Sequence, residues 1–275
     1  MTTALAVRDS LERRIRSYGD RVLVAFSGGV DSSLVVALAA RALGANEVTA
    51  VTAISPSYPA GELELARGVA FDLGVAHRTV QTHEVEREAY ARNDEMRCYH
   101  CKAELYATLG KVASSAGHGV AVLSGANADD LDDFRPGLWA GERAGIRNPL
   151  LEERVGKAVV RELARDLDLR VSAKPALACL SSRVSFGIRI TSELLEKVDA
   201  AEREVRALGF DLVRMRHHGD VATIEVEPVE VARLRGHPDL DGALDAIRAL
   251  GWREVDIEPG GYGSSSAEPV PLIRV

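Results

Sequence analysis

The sequence has 275 residues, which is enough for one large or two medium domains with a sizeable buried core. Its 34 Lys and Arg against 41 Asp and Glu give a net charge of −7, which argues against a protein built mainly to coat nucleic acid. Hydrophobic residues make up 46% and charged residues 27%, which excludes wholesale disorder, and no apolar run approaches the roughly 18 residues of a membrane span.

The first half of the chain alternates between helix and strand patterns. Residues 4–18 predict an amphipathic helix and contain no signal-peptide core, so we expect a cytoplasmic protein with no membrane partner. Short apolar runs predict strands, and longer periodic runs predict helices: strands over 21–26, 47–53, 76–82 and 119–125, and helices over 34–44 and 60–73. This alternation predicts an α/β fold with a parallel sheet covered by helices on both faces.

The pattern changes after about residue 185. The later elements are a helix over 191–208, two strands over 211–218 and 221–227 joined by a hairpin turn at Gly219-Asp220, and a last strand over 252–258. We therefore predict a nucleotide-binding domain over 1–185, a smaller α+β domain over 186–260, and a mobile Gly/Ser-rich tail over 261–275.

The strongest motif lies directly after the first predicted strand and opens a helix: Ser27-Gly28-Gly29-Val30-Asp31-Ser32-Ser33. Glycines let the backbone approach an anion closely, and the helix N-terminus supplies N–H donors and positive partial charge. The motif is neither a Walker A loop nor G-x-G-x-x-G. It resembles the pyrophosphate loop of enzymes that split ATP between its α and β phosphates. The alternative is a plain Gly-rich turn with Asp31 as a helix cap.

Other residues of the ATP site are expected at the ends of the neighbouring strands, where open α/β sheets bind ligands. We assign ATP binding to Ser27, Gly28, Gly29, Asp31, Ser32, Ala53, Ser55, Gly125 and Asn127. Carboxylates beside a polyphosphate suit Mg²⁺, which prefers oxygen ligands. Asp31 and Asp130 are therefore candidate Mg²⁺ ligands, and a solvated acidic loop is the alternative for Asp132 and Asp133.

Three cysteines are too few for a disulfide framework, and an odd number cannot all pair within one chain. Cys98 and Cys101 form a Cys-x-x-Cys pair, and Cys179 lies far along the chain. In a reducing compartment this pattern indicates metal binding, redox chemistry or a nucleophile. The alternative is that each cysteine is a small buried hydrophobic residue.

Three arginines are candidates for binding an anionic substrate. Arg214 and Arg216 point to the same face of a predicted strand, where they can clamp a phosphate or carboxylate. We add Arg183, which closes the motif that begins at Cys179. The alternative for the strand arginines is an ordinary exposed strand face.

Together these motifs resemble the LarE family of ATP-dependent sulfur transferases over about residues 8–260. The matching segments are SGGVDSS, RCYHCK, SGANADDLDDFRPG, CLSSRVSFG and RMRHHGDVATIEV. The resemblance implies that a carboxylate of pyridinium-3,5-biscarboxylic acid mononucleotide is adenylylated and then converted to a thiocarboxylate. The product belongs to the nickel-pincer nucleotide used by lactate racemase and related enzymes.

The resemblance also implies residue roles. Cys179 matches the sulfur-bearing cysteine, which single-cysteine members consume to dehydroalanine. Cys98 and Cys101 place the chain nearer the three-cysteine subgroup, whose thiols hold a 4Fe-4S cluster. Glu202 matches a metal-binding glutamate, with Glu204 as a competitor on the same helix, and Arg214 and Arg216 match the arginines that hold the substrate phosphate. The lead-in NDEM before RCYHCK departs from the proline-containing one of the family.

Three other functions remain compatible with part of the pattern. A tRNA thiolase also joins a pyrophosphate loop to three cysteines, but the acidic balance and the lack of a basic or aromatic-rich segment oppose RNA binding. A non-catalytic zinc protein would use the three cysteines with His100 or His118. An amidotransferase-type synthetase explains the loop but not the cysteines. We expect a small nucleotide substrate, no nucleic-acid partner and a homo-oligomer.

Overall fold

The computed structural model describes residues 3–131, 134–175 and 178–263. The chain forms two compact units. The first contains Met1–Glu84 and Cys98–Leu177, and the second contains Val85–Arg97 and Ala178–Val275. This division differs from the predicted domains 1–185 and 186–260, because the second unit begins earlier and includes a segment from the first half of the chain. From residue 264 onward the predicted mobile tail lies outside the described residues.

The secondary structure consists of short strands and mostly short helices. The strands are β1 (Val22–Ala25), β2 (Val48–Ile54), β3 (Ala76–Gln81), β4 (Ala121–Leu123), β5 (Val213–His217), β6 (Val221–Val226) and β7 (Glu254–Ile257). The helices are α1 (Thr3–Arg16), α2 (Val30–Leu43), α3 (Glu62–Asp72), α4 (Glu88–Ala91), α5 (Arg97–Ala116), α6 (Pro136–Arg143), α7 (Pro149–Glu152), α8 (Lys157–Asp166), α9 (Ser192–Ala207), α10 (Val231–Arg235) and α11 (Leu240–Ala249). Within the described ranges, no helix is long and apolar enough to cross a membrane.

The first unit is built on a four-stranded parallel sheet in the order β3-β2-β1-β4. Side chains of β1 alternate between two cores, as the two-residue period of a strand requires. Val22 and Val24 pack into the core that contains α2 and α8, whereas Leu23 packs into the core that contains Tyr106 and Leu109 of α5. The predicted α/β fold, with helices on both faces of a parallel sheet, is confirmed.

The strand order places β1 at the point where the chain changes direction across the sheet. The chain runs from β1 outward through β2 to β3 and then returns to the other side of β1 as β4. Open α/β sheets bind ligands in the crevice at such a point, outside the carboxyl ends of the strands. The pyrophosphate-loop motif is the loop after β1.

Most predicted elements of the first unit are present with shifted ends. The helix predicted over 34–44 begins already at Val30 and ends before Gly44, whose φ of +95° suits a residue without a Cβ. The strand predicted over 119–125 shortens to β4. Helices α5 to α8 were not predicted. For α5 the signal was the buried series Tyr106, Leu109 and Ala113, which has helical spacing.

The second unit contains a three-stranded sheet in the order β5-β6-β7. Strands β5 and β6 are antiparallel and are joined at Gly219, whose φ of +84° fits the predicted turn. Strand β7 is parallel to β6, and α9 packs on β5 through its buried face. Buried side chains on that face include Leu195, Val198 and Val205. The helix, hairpin and last strand predicted for this region are all present.

A buried histidine makes the stability of the second unit depend on pH. Trp252 Nε1 donates a hydrogen bond to His217 Nδ1 at 2.8 Å, so this nitrogen carries no proton. Burial lowers the pKa of His217 below its usual value, and the charges of Lys197 and His218 lower it further. The unfolded chain takes up a proton near pH 6.5 that the folded protein resists, so stability is complete above that pH and is lost as the pH falls below it.

We expect the unfolding free energy to fall below about pH 6.5, with His217 contributing a slope of at most about 1.4 kcal/mol per pH unit. Urea unfolding between pH 7.5 and 5.5 (values chosen to bracket the ordinary histidine pKa of about 6.5) measures it. His217→Gln keeps an acceptor for Trp252 but cannot titrate, so its profile should be flatter. The exposed His118→Gln is the control, and equal slopes in the two variants would contradict the assignment.

Candidate active site

The loop after β1 has the geometry of an anion-binding turn. Gly28 has a φ of +75°, and a Cβ there would lie 3.0 Å from Ala66 Cβ, so the fold requires glycine. Gly29 is the N-cap of α2 and has an extended backbone. Ser32 Oγ donates to the Gly29 carbonyl at 3.1 Å and accepts from Ser27 N at 3.3 Å, which closes the turn. The loop therefore presents the N-terminus of a long buried helix to a ligand.

The loop after β4 passes directly against this turn. A Cβ on Gly125 would lie 2.7 Å from Ser32 N and 3.0 Å from Asp31 C, so only glycine permits this approach. Asn127 Nδ2 donates to Asp31 Oδ1 at 3.2 Å. The structure thus brings together five of the residues predicted to bind ATP: Gly29, Asp31, Ser32, Gly125 and Asn127.

The carboxylates of this crevice differ in what they contact. Asp31 Oδ2 forms an ion pair with Lys157 Nζ. Asp129 Oδ2 accepts from Lys157 N at 2.9 Å and so holds the first turn of α8. Asp130, a predicted Mg²⁺ ligand, pairs with Arg135 at 3.1 Å and accepts from Asn127 N at 3.0 Å. Asp31 is the predicted metal ligand that lies in the pyrophosphate loop itself.

A buried carboxylate that follows β3 bonds to the serines at the end of β2. Ser55 Oγ and Ser57 Oγ both donate to Glu84 Oε1, at 2.5 and 2.9 Å. Glu84 is 2% exposed, and its Oε2 has no hydrogen-bond partner in the described part of the chain. Ala53, the other predicted ATP residue of β2, is half-buried one residue before the strand ends. Ser55 is thus held in place by Glu84, and no local motif in the sequence marks Glu84 as a site residue.

The Cys-x-x-Cys pair lies on a helix rather than in a loop. Helix α5 begins at Arg97, so Cys98 and Cys101 lie three residues apart on one face of its first turns. Cys98 is exposed and Cys101 is half-buried. Two thiols on one accessible helix face suit a soft metal centre. Both residues belong to the first unit, whereas Cys179 belongs to the second.

Cys179 lies in a segment whose backbone is held by a buried arginine. Arg183 Nη1 donates to the Cys179 carbonyl at 2.9 Å and also to the Ala178 carbonyl. Arg183 Nε donates to Glu202 Oε1 at 2.8 Å, and both side chains of this ion pair are completely buried. The Cys179 thiol remains half-exposed while its backbone is fixed.

Two predicted site residues belong to this network. Arg183, predicted to bind substrate, is buried, and its guanidinium contacts Glu202 and three acceptors of the cysteine segment, which positions that segment. Glu202, predicted to bind metal, accepts from Arg183, from Arg206 Nη2 at 2.6 Å and from Met215 N at 3.1 Å. Both roles remain predictions.

A second set of contacts holds the same segment and was not visible in the sequence. Asn93 has a φ of +56° and donates to the carbonyls of Ser185 and Ile188 at 2.8 and 3.0 Å. Its Oδ1 accepts from Arg97 Nη1 at 2.5 Å, and Arg97 also donates to the Ser181 carbonyl at 2.9 Å. These long-range bonds explain why residues 85–97 belong to the second unit.

The strand arginines form a positive cluster in which Arg214 is buried and Arg216 is half-buried. Arg216 Nε lies 3.0 Å from Glu225 Oε2, and Arg216 Nη1 donates to the Ser182 carbonyl at 2.8 Å. The Arg214 guanidinium stacks 4.1 Å from the centre of the Tyr262 ring. Burial lowers the pKa of Arg214, and the nearby Arg183 charge lowers it further. A bound anion would relieve this penalty.

The charges of this cluster do not cancel. Four guanidinium groups, those of Arg183, Arg206, Arg214 and Arg216, face the two buried carboxylates of Glu202 and Glu225. The excess of positive charge suits an anionic group such as a phosphate. The two strand arginines lie two residues apart on β5, which pairs with β6, and this spacing is consistent with the prediction that their side chains share one face.

Among the described residues, no three His, Cys, Asp or Glu side chains are grouped as a metal ion would require. The thiols of Cys98 and Cys101 fit part of an iron–sulfur ligand set by their chemistry and their spacing on α5. The oxygen of Asp31 fits a Mg²⁺ ion held mainly by a polyphosphate, since Mg²⁺ often takes only one or two protein carboxylates.

Known proteins match the part of the chain that contains the loop. A family model described as asparagine synthase matches residues 3–138, which include the pyrophosphate loop and the loop after β4. A tRNA-specific 2-thiouridylase of Gluconobacter oxydans is 31% identical over 268 residues, which cover 78% of this chain and 72% of the relative.

Two relatives match over most of both chains. An uncharacterised protein of Synechocystis is 41% identical over 251 residues, covering 91% of this chain and 93% of the relative. The pyridinium-3,5-bisthiocarboxylic acid mononucleotide synthase of Lactiplantibacillus plantarum is 36% identical over 244 residues, covering 89% of this chain and 87% of the relative. On this match, together with its pyrophosphate loop, the chain belongs to the LarE family of ATP-dependent sulfur transferases.

Proposed function

We propose that the protein adenylylates a carboxylate of pyridinium-3,5-biscarboxylic acid mononucleotide and converts it to a thiocarboxylate, a step in making the nickel-pincer nucleotide. The observation that supports this most strongly is the pyrophosphate loop, closed by Ser32 and packed against Gly125, in a chain that matches the named synthase over 89% of its length. The arginine cluster suits the phosphate of such a nucleotide.

The first step makes the carboxylate reactive. A carboxylate resists attack because its charge and resonance protect the carbon. Its oxygen attacks the α-phosphorus of ATP, the bond to the β-phosphate breaks, and pyrophosphate leaves with the electron pair. The N–H groups of the loop at Gly29 and a Mg²⁺ ion held in part by Asp31 would stabilise the charge that develops on pyrophosphate.

The second step exchanges oxygen for sulfur. A sulfur nucleophile attacks the acyl carbon of the mixed anhydride, and AMP leaves with the oxygen. We propose that Cys98, Cys101 and Cys179 hold a 4Fe-4S cluster, in which three protein thiols leave one iron without a cysteine ligand. When bound, such a cluster would supply an exchangeable sulfide and spare the sulfur of Cys179. Arg183 holds the backbone of Cys179 whether this cysteine binds a cluster or gives up its own sulfur.

The products of ATP cleavage test this function. Incubation with ATP, Mg²⁺ and the biscarboxylate mononucleotide is expected to give AMP and pyrophosphate in equal amounts, measured by ion-exchange chromatography. ADP and phosphate would contradict the pyrophosphate-loop assignment. Release of AMP and pyrophosphate with unmodified tRNA but not with the mononucleotide would instead favour a tRNA thiolase.

Arg216→Gln is expected to weaken the binding of the nucleotide substrate far more than the binding of ATP. A charge-assisted hydrogen bond contributes about 1.5–3 kcal/mol, so the KM for the mononucleotide should rise about 10- to 150-fold. Gln retains a donor toward the Ser182 carbonyl and toward Glu225, which limits the structural damage. Arg203→Gln, which removes the same charge from an exposed position of the same unit, should leave both constants unchanged. If the binding of ATP were weakened equally, the assignment of Arg216 to the nucleotide substrate would be contradicted.

A further inference from the structure

The pyrophosphate loop contains no cation of its own. The segment 27–33 has Ser, Gly, Val and Asp but no Lys or Arg. A Walker A loop, by contrast, includes a lysine that reaches the phosphates of its nucleotide. A loop that releases pyrophosphate has the same need, because a triphosphate is strongly anionic and its leaving group gains charge as the bond breaks. A cationic side chain from another element can meet this need together with the Mg²⁺ ion.

Lys157 lies beside this loop although it is far away in the sequence. Its Nζ forms an ion pair with Asp31 Oδ2, and the two side chains are 29% and 24% exposed. Asp31 lies in the first turn of α2, where the loop N–H groups converge. The ammonium of Lys157 is thus held at the loop while remaining accessible to a ligand.

The backbone around Lys157 is fixed in two ways. A Cβ on Gly156 would lie 2.5 Å from Asp129 Oδ1, so a larger residue there would displace the carboxylate that contacts the start of α8. Lys157 N donates to Asp129 Oδ2 at 2.9 Å. Val160 and Leu163, on the inner face of α8, are buried in the core together with α2. These contacts set the position from which the Lys157 side chain extends.

We propose that Lys157 binds the β- and γ-phosphates of ATP and stabilises the departing pyrophosphate, and that Asp31 holds its ammonium at the loop. This inference rests on the proposed binding of ATP at the pyrophosphate loop. A carboxylate has two oxygens and about four lone-pair positions, so Asp31 can retain Lys157 and also contact Mg²⁺. Lys157 is then a catalytic residue, because it touches the leaving group.

Binding measurements with Mg²⁺ present separate this role from a structural one. The probes are inorganic pyrophosphate, α,β-methylene-ATP, which cannot be cleaved, and AMP, each titrated by calorimetry. In Lys157→Met, affinity for the first two is expected to fall about 10- to 150-fold, as for a charge-assisted contact to phosphate. AMP affinity should not change, since AMP lacks the β-phosphate. Lys157→Arg should restore most of the lost affinity.

Lys111→Met is the matched control, because it removes the same charge from an exposed site of the same unit and should bind every probe as the wild type does. Undiminished pyrophosphate affinity in Lys157→Met would overturn the inference and leave the ATP site standing. Equal loss of AMP and pyrophosphate affinity would also overturn it, because Lys157 would then support the site as a whole. A wild-type protein that binds none of the probes would overturn the proposed ATP site and the inference with it.

Discussion

Replacing Gly29 by Val is expected to abolish ATP cleavage without unfolding the protein. Gly29 has a φ of −80° and a ψ of 163°, which a β-branched residue adopts readily, and a Cβ there would meet only Ser27 Oγ at 3.4 Å. The side chain would instead occupy the space that a phosphate needs above the helix N-terminus. Because several loop donors would be lost together, we expect pyrophosphate release to fall by about 10³-fold or more.

The neighbouring glycine provides the control for this prediction. Gly28 has a positive φ, and its Cβ would lie 3.0 Å from Ala66 Cβ, so Gly28→Val should lower the melting temperature as well as the activity. Gly29→Val should lose activity at an almost unchanged melting temperature. Pyrophosphate release near the wild-type rate in Gly29→Val would exclude phosphate binding at this loop.

The second large effect concerns the three cysteines. If they hold a cluster, Cys98→Ala should abolish repeated sulfur transfer as completely as Cys179→Ala, while the first adenylylation still releases pyrophosphate. Iron and sulfide content of protein purified without oxygen should fall in both variants. The two positions differ structurally, since Cys98 lies on α5 and Cys179 in the segment held by Arg183, so a shared phenotype would indicate a shared ligand role.

A sacrificial Cys179 gives a different outcome. Only Cys179→Ala would then block sulfur transfer, and the mass of the intact protein would decrease by one H₂S in a single turnover as Cys179 becomes dehydroalanine. An active preparation that contains no iron and shows this loss would contradict the cluster. In that case Cys98 and Cys101 would have no part in the chemistry.

The sheet and the loop after β1 were predictable because their signals are local. Consecutive apolar residues such as Val22, Leu23 and Val24 specify a strand buried on two faces, and the motif from Ser27 to Ser33 specifies the turn that follows. Gly44 was correctly expected at the end of α2. These features depend on neighbours within a few residues, so the sequence displays them directly.

The side-chain networks depend on distant residues and were not predictable in this way. Arg183 and Glu202 lie 19 positions apart in the sequence, and no motif predicts their fully buried ion pair. Asn93 has a left-handed backbone conformation, and its side chain donates hydrogen bonds to carbonyls more than 90 positions away. Lys157 lies in an ordinary amphipathic helix. Only the structure shows that its ammonium contacts Asp31, which is 126 positions away in the sequence.

The most direct test of the proposed function is the mass of the nucleotide product. Anaerobically purified protein, supplied with ATP, Mg²⁺ and pyridinium-3,5-biscarboxylic acid mononucleotide, should yield a nucleotide in which one carboxylate oxygen has been replaced by sulfur. One AMP and one pyrophosphate should form for each sulfur transferred, and Gly29→Val should form none of these products. Formation of AMP and pyrophosphate with no sulfur in the mononucleotide, even with added sulfide, would contradict the account.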